Sequence, residues 1–208
     1  MSKEIHGLIR IKDKKKAMEV LLETHKDFSM LKNAFPHRDR YILALSVTLR
    51  TQIPFFIKYG DVYSDSPRCD GVALVIHSGK RKPSKIKYFL SGCYWRKYKN
   101  SEGLLSKEEN ERRIKVYKET EQMEADIQFP KKYIYINYIG VKSEFRNQGI
   151  ENRIIEKLME EGIKKTLPIV LYTNEPDNVA FYQDLGFKII GITSSKTFQF
   201  MNIYLIKE

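Results

Sequence analysis

Apolar positions in this 208-residue chain switch repeatedly between a helical and a strand-like period. In residues 17–31, AMEVLLETHKDFSML, Met18, Leu21, Leu22 and Phe28 share one helical stripe. Residues 38–60 read as a long apolar helix that Pro54 is expected to interrupt or kink. Two strand-like runs follow, GVALVIHSG (71–79) and IKYFLSGCYW (86–95), with the basic loop KRKPSK between them. A charged helix is predicted over 106–127, where Ile114, Tyr117 and Ile127 are the apolar positions. Next come strand 132–141, helix 148–165 and strand 168–173, then a short helix over 176–185. Strands 187–192 and 198–206 close the chain, and the last is apolar on both faces, so a partner or another strand is expected to cover it. In helix 148–165, Ile150, Ile154, Ile155, Leu158 and Met159 make one apolar face.

The order strand, helix, strand from 132 to 173 is a βαβ unit, which implies two parallel strands and a right-handed crossover. With helices and strands mixed throughout, the class is α/β, or α+β with a mixed sheet. At 42% hydrophobic residues, and with no linker or repeat, residues 1–208 are expected to form a single domain. No apolar run approaches the ~20 residues of a membrane span. The start, MSKEIHGLIRIKDKKK, has charges where a signal peptide needs an apolar core, so a cytoplasmic location is expected. Cys69 and Cys93 lack CxxC or metal spacing and read as free thiols. The net charge of +11 is spread along the chain, densest at 12–16 and 80–85. It reads as a solvated surface, compatible with a polyanionic ligand. No recognition-helix or RNA-binding aromatic motif accompanies it, so nucleic acid is not an expected partner.

Several kinds of chemistry lack their motifs. SGKRKPS is not a nucleotide P-loop, His6, His25, His37 and His77 have no metal-ligand spacing, and no G-x-S-x-G elbow is present. No metal is expected. RNQGIE (146–151) is more informative. A helix N-terminus attracts anions, Gly149 lets a phosphate approach the main chain, and Arg146 can add a charged bond. Glu151, however, puts a negative charge where that anion would sit. A second segment, NEPDNVAFYQDLGF (174–187), has Pro176 early in a helix, Asn178 and Tyr182 on one face, and Gly186 as a C-terminal cap. Asn178 and Tyr182 read either as a cap and a core residue or as an amide and a phenol aimed at one ligand.

Together the two segments resemble the GNAT superfamily of N-acetyltransferases over about 130–192. The family loop R/Q-x-x-G-x-G/A, after a strand ending in hydrophobic-x-Val, is matched by Ile139, Val141, Arg146 and Gly149, with Glu151 at the small-residue position. Its later segment N-x-x-x-Y-x-x-x-G-F is matched by Asn178, Tyr182, Gly186 and Phe187. Helix 38–60 followed by GDVY and GVALVI is similar to the puromycin-acetyltransferase-like branch.

The resemblance implies an acyl-CoA N-acyltransferase fold with a splayed central parallel pair. Residues 1–130 would be the acceptor side, where 35–63 either lines the acceptor pocket or is ordinary core. Residues 131–208 would bind acetyl-CoA as co-substrate. It implies that the backbone of Ile139, Gly140 and Val141 holds the pantetheine arm. The amides of Arg146, Asn147, Gln148, Gly149, Ile150 and Glu151 would hold the pyrophosphate. Asn178 would contact the pantetheine, and Tyr182 would be the general acid. The acceptor would be a primary amine of a small molecule, or of a peptide or protein, and the chain a monomer or homodimer. The family often carries its base on the strand before the loop. Here Tyr133, Tyr135, Asn137 and Ile139 are expected to share a face without a carboxylate. Glu175, His77, or water relayed by Tyr135 or Asn137 are the candidate bases. A non-catalytic CoA- or acyl-CoA-binding module and a basic nucleic-acid-binding protein are the alternatives. Glu151 is expected to weaken acetyl-CoA binding, and Glu151→Gly or Glu151→Ala to tighten it.

Overall fold

The computed structural model describes residues 4–81, 85–91 and 103–208. The strands are β1 (Ile9–Arg10), β2 (Asp61–Ser64), β3 (Gly71–His77), β4 (Ile134–Val141), β5 (Ile169–Thr173), β6 (Lys188–Ser194) and β7 (Met201–Lys207). They form one sheet in the order β1-β2-β3-β4-β5-β7-β6. All neighbours are antiparallel except β4 and β5, the pair joined by the expected βαβ unit.

Helices cover both faces. On one lie α1 (Lys14–His25), α2 (Ser29–Ala34), α3 (Arg38–Tyr59) and α6 (Lys107–Ala125), packed on Val72, Leu74, Ile76 and Tyr135. On the other lie α7 (Ile150–Lys165) and α8 (Asp177–Asp184), packed on Ala73, Val75, Ile134 and Ile136. The apolar face expected for α7 is the buried one: Ile150, Ile154, Ile155 and Leu158 are buried, and Met159 packs at its edge. Two short helices, α4 (Ser78–Arg81) and α5 (Lys85–Leu90), follow β3. α6 starts with a capping box in which the Ser106 hydroxyl accepts from Glu109 N–H and the Glu109 carboxylate accepts from Ser106 N–H.

Four expectations change in three dimensions. The 17–31 stripe is two helices, because the chain turns at Lys26–Phe28 and the Glu175 carboxylate accepts from Ser29 N–H at 2.8 Å, capping α2. α3 runs unbroken through Pro54. The run 86–95 is helical over Lys85–Leu90, and residues 92–95 lie outside the described residues. A strand there could not pair with β3, which is already paired with β2 on one edge and β4 on the other. β7 is covered on its edges by β5 and β6, and its apolar faces meet both helical layers.

The fourth change concerns β4. Its register with β3 shifts so that Leu74 faces Tyr138 while Val75 faces Ile136, which leaves Asn137 as an extra residue. A bulge of this kind resets the alternation of side chains. Tyr133, Tyr135 and Tyr138 therefore share one core, while Ile134, Ile136, Ile139 and Val141 share the other. The face expected to combine Tyr133 and Tyr135 with Ile139 does not exist.

Candidate functional site

β4 and β5 pair over three positions only, Ile134 with Ile169, Tyr135 with Val170 and Ile136 with Leu171. Beyond them β4 follows β3 to Val141 while β5 follows β7 to Thr173. The strands splay from Asn137 and Tyr172 onward, and a cleft of ≈ 600 Å³ opens there. The strand edge facing it follows from the ladder. Gly71 N–H donates to Asp65 Oδ1 at 2.8 Å rather than to its partner Val141, which marks a non-hydrogen-bonded pair. By alternation, Ile139 and Val141 turn their N–H groups away from β3, toward the gap. Both residues line the cleft. Gly140 does not, because it is where α1 rests on the sheet: a Cβ there would lie 2.6 Å from Thr24 Oγ1. The Thr24 hydroxyl is 2.8 Å from Val20 O and 3.1 Å from Val141 O, so its one hydrogen serves either carbonyl.

The loop between β4 and α7 forms the cleft's floor. A 3-10 turn at Ser143–Phe145 leads to Arg146 in extended conformation, then to Asn147 and Gly149 at φ 61° and 71°. Asparagine and glycine are the residues that take this left-handed region at least cost. Glu23 anchors the turn by accepting from the Ser143 N–H and hydroxyl, and these bonds hold its carboxyl below the usual range. Gly149 is the N-cap of α7 and supplies no side-chain cap, so the helix presents its first amides toward the cleft. A Cβ on Gly149 would meet nothing within 4 Å. Arg146, Asn147, Gly149, Ile150 and Glu151 line the cleft, whereas Gln148 turns back to donate to Glu144 O at 3.2 Å.

α8 supplies the opposite wall. Asn178 and Tyr182 both line the cleft, one turn apart. Gly186 ends the helix at φ 82°, and Phe187 N–H returns to Tyr182 O at 3.0 Å, so the C-terminal cap is as expected. Tyr182 is 5% exposed, and it lines the cleft together with Glu151. Glu151 thus points inward. Burial pushes its carboxyl up to about 6, against the opposing pull of the Tyr182 hydroxyl and the Arg146 charge. Burial, then the neighbouring carboxylate, pushes the Tyr182 phenol well above its ordinary range.

The two candidate bases separate. Glu175 lines the cleft, with Oε1 held by Ser29 N–H. His77 pairs with Ile134 at the far end of β4, beside Asp61, Lys80 and Lys165, and does not line the cleft. His25, one of the four histidines without metal-ligand spacing, is buried in the cleft wall between Phe28 and Tyr138, with ring centroids 4.5 and 5.2 Å away. Its Nδ1 lies 2.9 Å from Leu21 O. A carbonyl only accepts, so Nδ1 carries the hydrogen and Nε2 keeps a lone pair. Burial drives its ionisation down to about 4, so the ring is neutral. Asn174, also in the wall, has a buried Oδ1 without a partner. Nothing in the local pattern around His25 or Asn174 marks either one, because both reach the cleft through long-range packing.

The fold is a mixed sheet splayed at its one parallel pair, with the cleft at the splay. Residues 114–187 match the model of the acetyltransferase (GNAT) family. The fold is that of a histone acetyltransferase HPA2 and related acetyltransferase from Corynebacterium glutamicum. That structure is 20% identical, with 100% of this chain and 96% of that one covered and a TM-score of 0.56. It is also that of arylalkylamine N-acetyltransferase 2 from Aedes aegypti (16% identity, 96% and 97% covered, TM-score 0.58). A shorter overlay on Arabidopsis thaliana Naa50, in complex with the bisubstrate analogue CoA-Ac-MVNAL, covers 39% of this chain and 60% of that one (18% identity, TM-score 0.34). No curated protein sequence matches the chain. Among the described residues no helix is long and apolar enough to cross a membrane, and no group of three or more His, Cys, Asp or Glu could hold a metal ion.

Proposed function

We propose that this chain transfers an acetyl group from acetyl-CoA to a primary amine of a small molecule. The observation that carries the reading is the convergence on one cleft of three features from separate parts of the chain. These are the free N–H edge of β4 at Ile139, the uncapped first turn of α7 with Arg146, and the Asn178–Tyr182 face of α8. The residues fit the cofactor's chemistry. Open space before Gly149 and unpaired helix-end amides suit a pyrophosphate, and Arg146 adds a cation. Ile139 N–H and Val141 N–H suit the amides and carbonyl of an extended arm. Glu151 is the one group that opposes an anion there.

Acetyl-CoA supplies the acyl group as an activated thioester. Ile139 and Val141 orient it and polarise its carbonyl, Asn178 holds the arm, and Tyr182 Oη carries the proton that a departing thiolate requires. Glu175 is the cleft carboxylate that we assign to accept the amine's proton, with Oε2 without a protein partner among the described residues. The arylalkylamine N-acetyltransferase among the similar folds is in keeping with an amine acceptor.

Thiol release from acetyl-CoA, measured over a panel of aryl, polyamine and amino-acid amines, tests the reading. Turnover is expected with at least one amine, and Tyr182→Phe is expected to lower kcat 10²-fold or more with acetyl-CoA affinity nearly unchanged. Binding without turnover across the panel would replace this reading with a non-catalytic CoA-binding module.

A further inference from the structure

A carboxylate in the first turn of a 16-residue helix satisfies that helix's amides much as a bound phosphate would. Glu151 stands in this turn and lines the same cleft as Arg146 and Tyr182. Resting on the acetyl-CoA reading above, we propose that Glu151 sets the affinity of the cofactor seat: its carboxylate competes with the cofactor's phosphates and ties up Tyr182 in the empty cleft, and it takes up a proton when the cofactor binds.

The titratable and charged groups that line the cleft with Glu151 decide whether it can stay ionised beside a phosphate. The β4–α7 loop contributes Arg146, and α8 contributes the hydroxyl of Tyr182. The end of α1 and the turn after it contribute neutral His25 and, at the rim, Asp27. The turn after β5 contributes Glu175. One arginine is thus the sole cation among the cleft-lining residues, and it cannot neutralise both a carboxylate and a pyrophosphate. Protonating Glu151 removes the conflict and ends its pull on the Tyr182 hydrogen, which then points to whatever occupies the cleft.

The sign follows from linkage. Burial already holds this carboxyl up at about 6 in the free chain, and a phosphate nearby raises it further. Binding therefore favours the protonated form, and affinity falls as pH rises above that value. Two unit charges at ~4 Å near solvent correspond to roughly five- to fifty-fold in affinity.

Calorimetric titration of acetyl-CoA into the wild-type chain, Glu151→Gln and Glu151→Ala, from pH 5.5 to 8 at fixed ionic strength, tests this. The cofactor's own 3′-phosphate titrates in the same window for all three proteins, so the ratio of Kd values is read. That ratio, wild type over Glu151→Gln, is expected near one at pH 5.5 and roughly five to fifty at pH 8. Glu151→Ala is expected to share the flatter profile. At pH 7, changing the buffer's ionisation enthalpy is expected to reveal greater proton uptake by wild type than by either variant. A ratio independent of pH, or net proton release specific to wild type, overturns the inference while leaving the acetyl-CoA reading intact. Absence of binding by all three proteins at every pH overturns both.

Discussion

Glu151→Gln in the ligand-free chain tests the half-buried carboxylate without any cofactor. Glutamine keeps the length and shape of the side chain, so packing is preserved and only the titration is lost. In the folded chain Glu151 sits at about 6, raised from 4.5 mainly by burial. A raised carboxyl contributes stability that is complete below the unfolded value and lost as pH rises through the folded one. The shift of ~1.5 units corresponds to about 2 kcal/mol. The stability difference, variant minus wild type, should therefore be constant below pH 4 and climb between pH 4.5 and 6. Above pH 7 it should level off about 2 kcal/mol higher. For a chain of this length that is a relative gain in Tm of ~4–8 °C at pH 7.5 over its value at pH 4. Thermal or urea melts of both proteins at matched ionic strength from pH 4 to 8 measure it. A difference that does not change with pH would mean Glu151 is solvated in the folded chain. A falling difference would mean the charge of Arg146 outweighs burial. Either result refutes the inward placement on which the competition with cofactor depends.

Two further outcomes are expected. His25 is held down at about 4 by burial, so its contribution is present above pH 6.5 and lost as pH falls through 4. In urea melts, His25→Gln should therefore lose less stability than wild type over that window, by about 3 kcal/mol. Gly140→Ala places a Cβ 2.6 Å from Thr24 Oγ1 and 2.9 Å from Thr24 Cβ, and only a shift of α1 relieves the second contact. A destabilisation of about 1–3 kcal/mol is expected, read as a lower Tm, with weaker acetyl-CoA binding because Thr24 and His25 move with the helix.

Local pattern alone was enough for the parts of this protein that are local. The βαβ unit, the glycine turn before α7 and the Asn178–Tyr182–Gly186 helix each rest on periodicity, a positive φ or an i,i+4 spacing, and each lies where expected. Motifs read this way also brought together most of the proposed cofactor seat. Sequence could not settle what depends on register and on side chains meeting across the sheet. One extra residue at Asn137 reverses the faces of β4 beyond it, and a bulge has no signature in the alternation of YIYINYIGV. The second edge of β3, filled by β4 from sixty residues away, left 86–95 no place beside β3. His25 enters the cleft because α1 rests on Gly140, and His77 is excluded because β3 runs antiparallel to β4. Glu151 read as an objection to phosphate binding. That it shares a cleft with Tyr182, thirty-one residues on, depends on how the sheet places α7 and α8, and that tertiary placement makes the objection a titratable device.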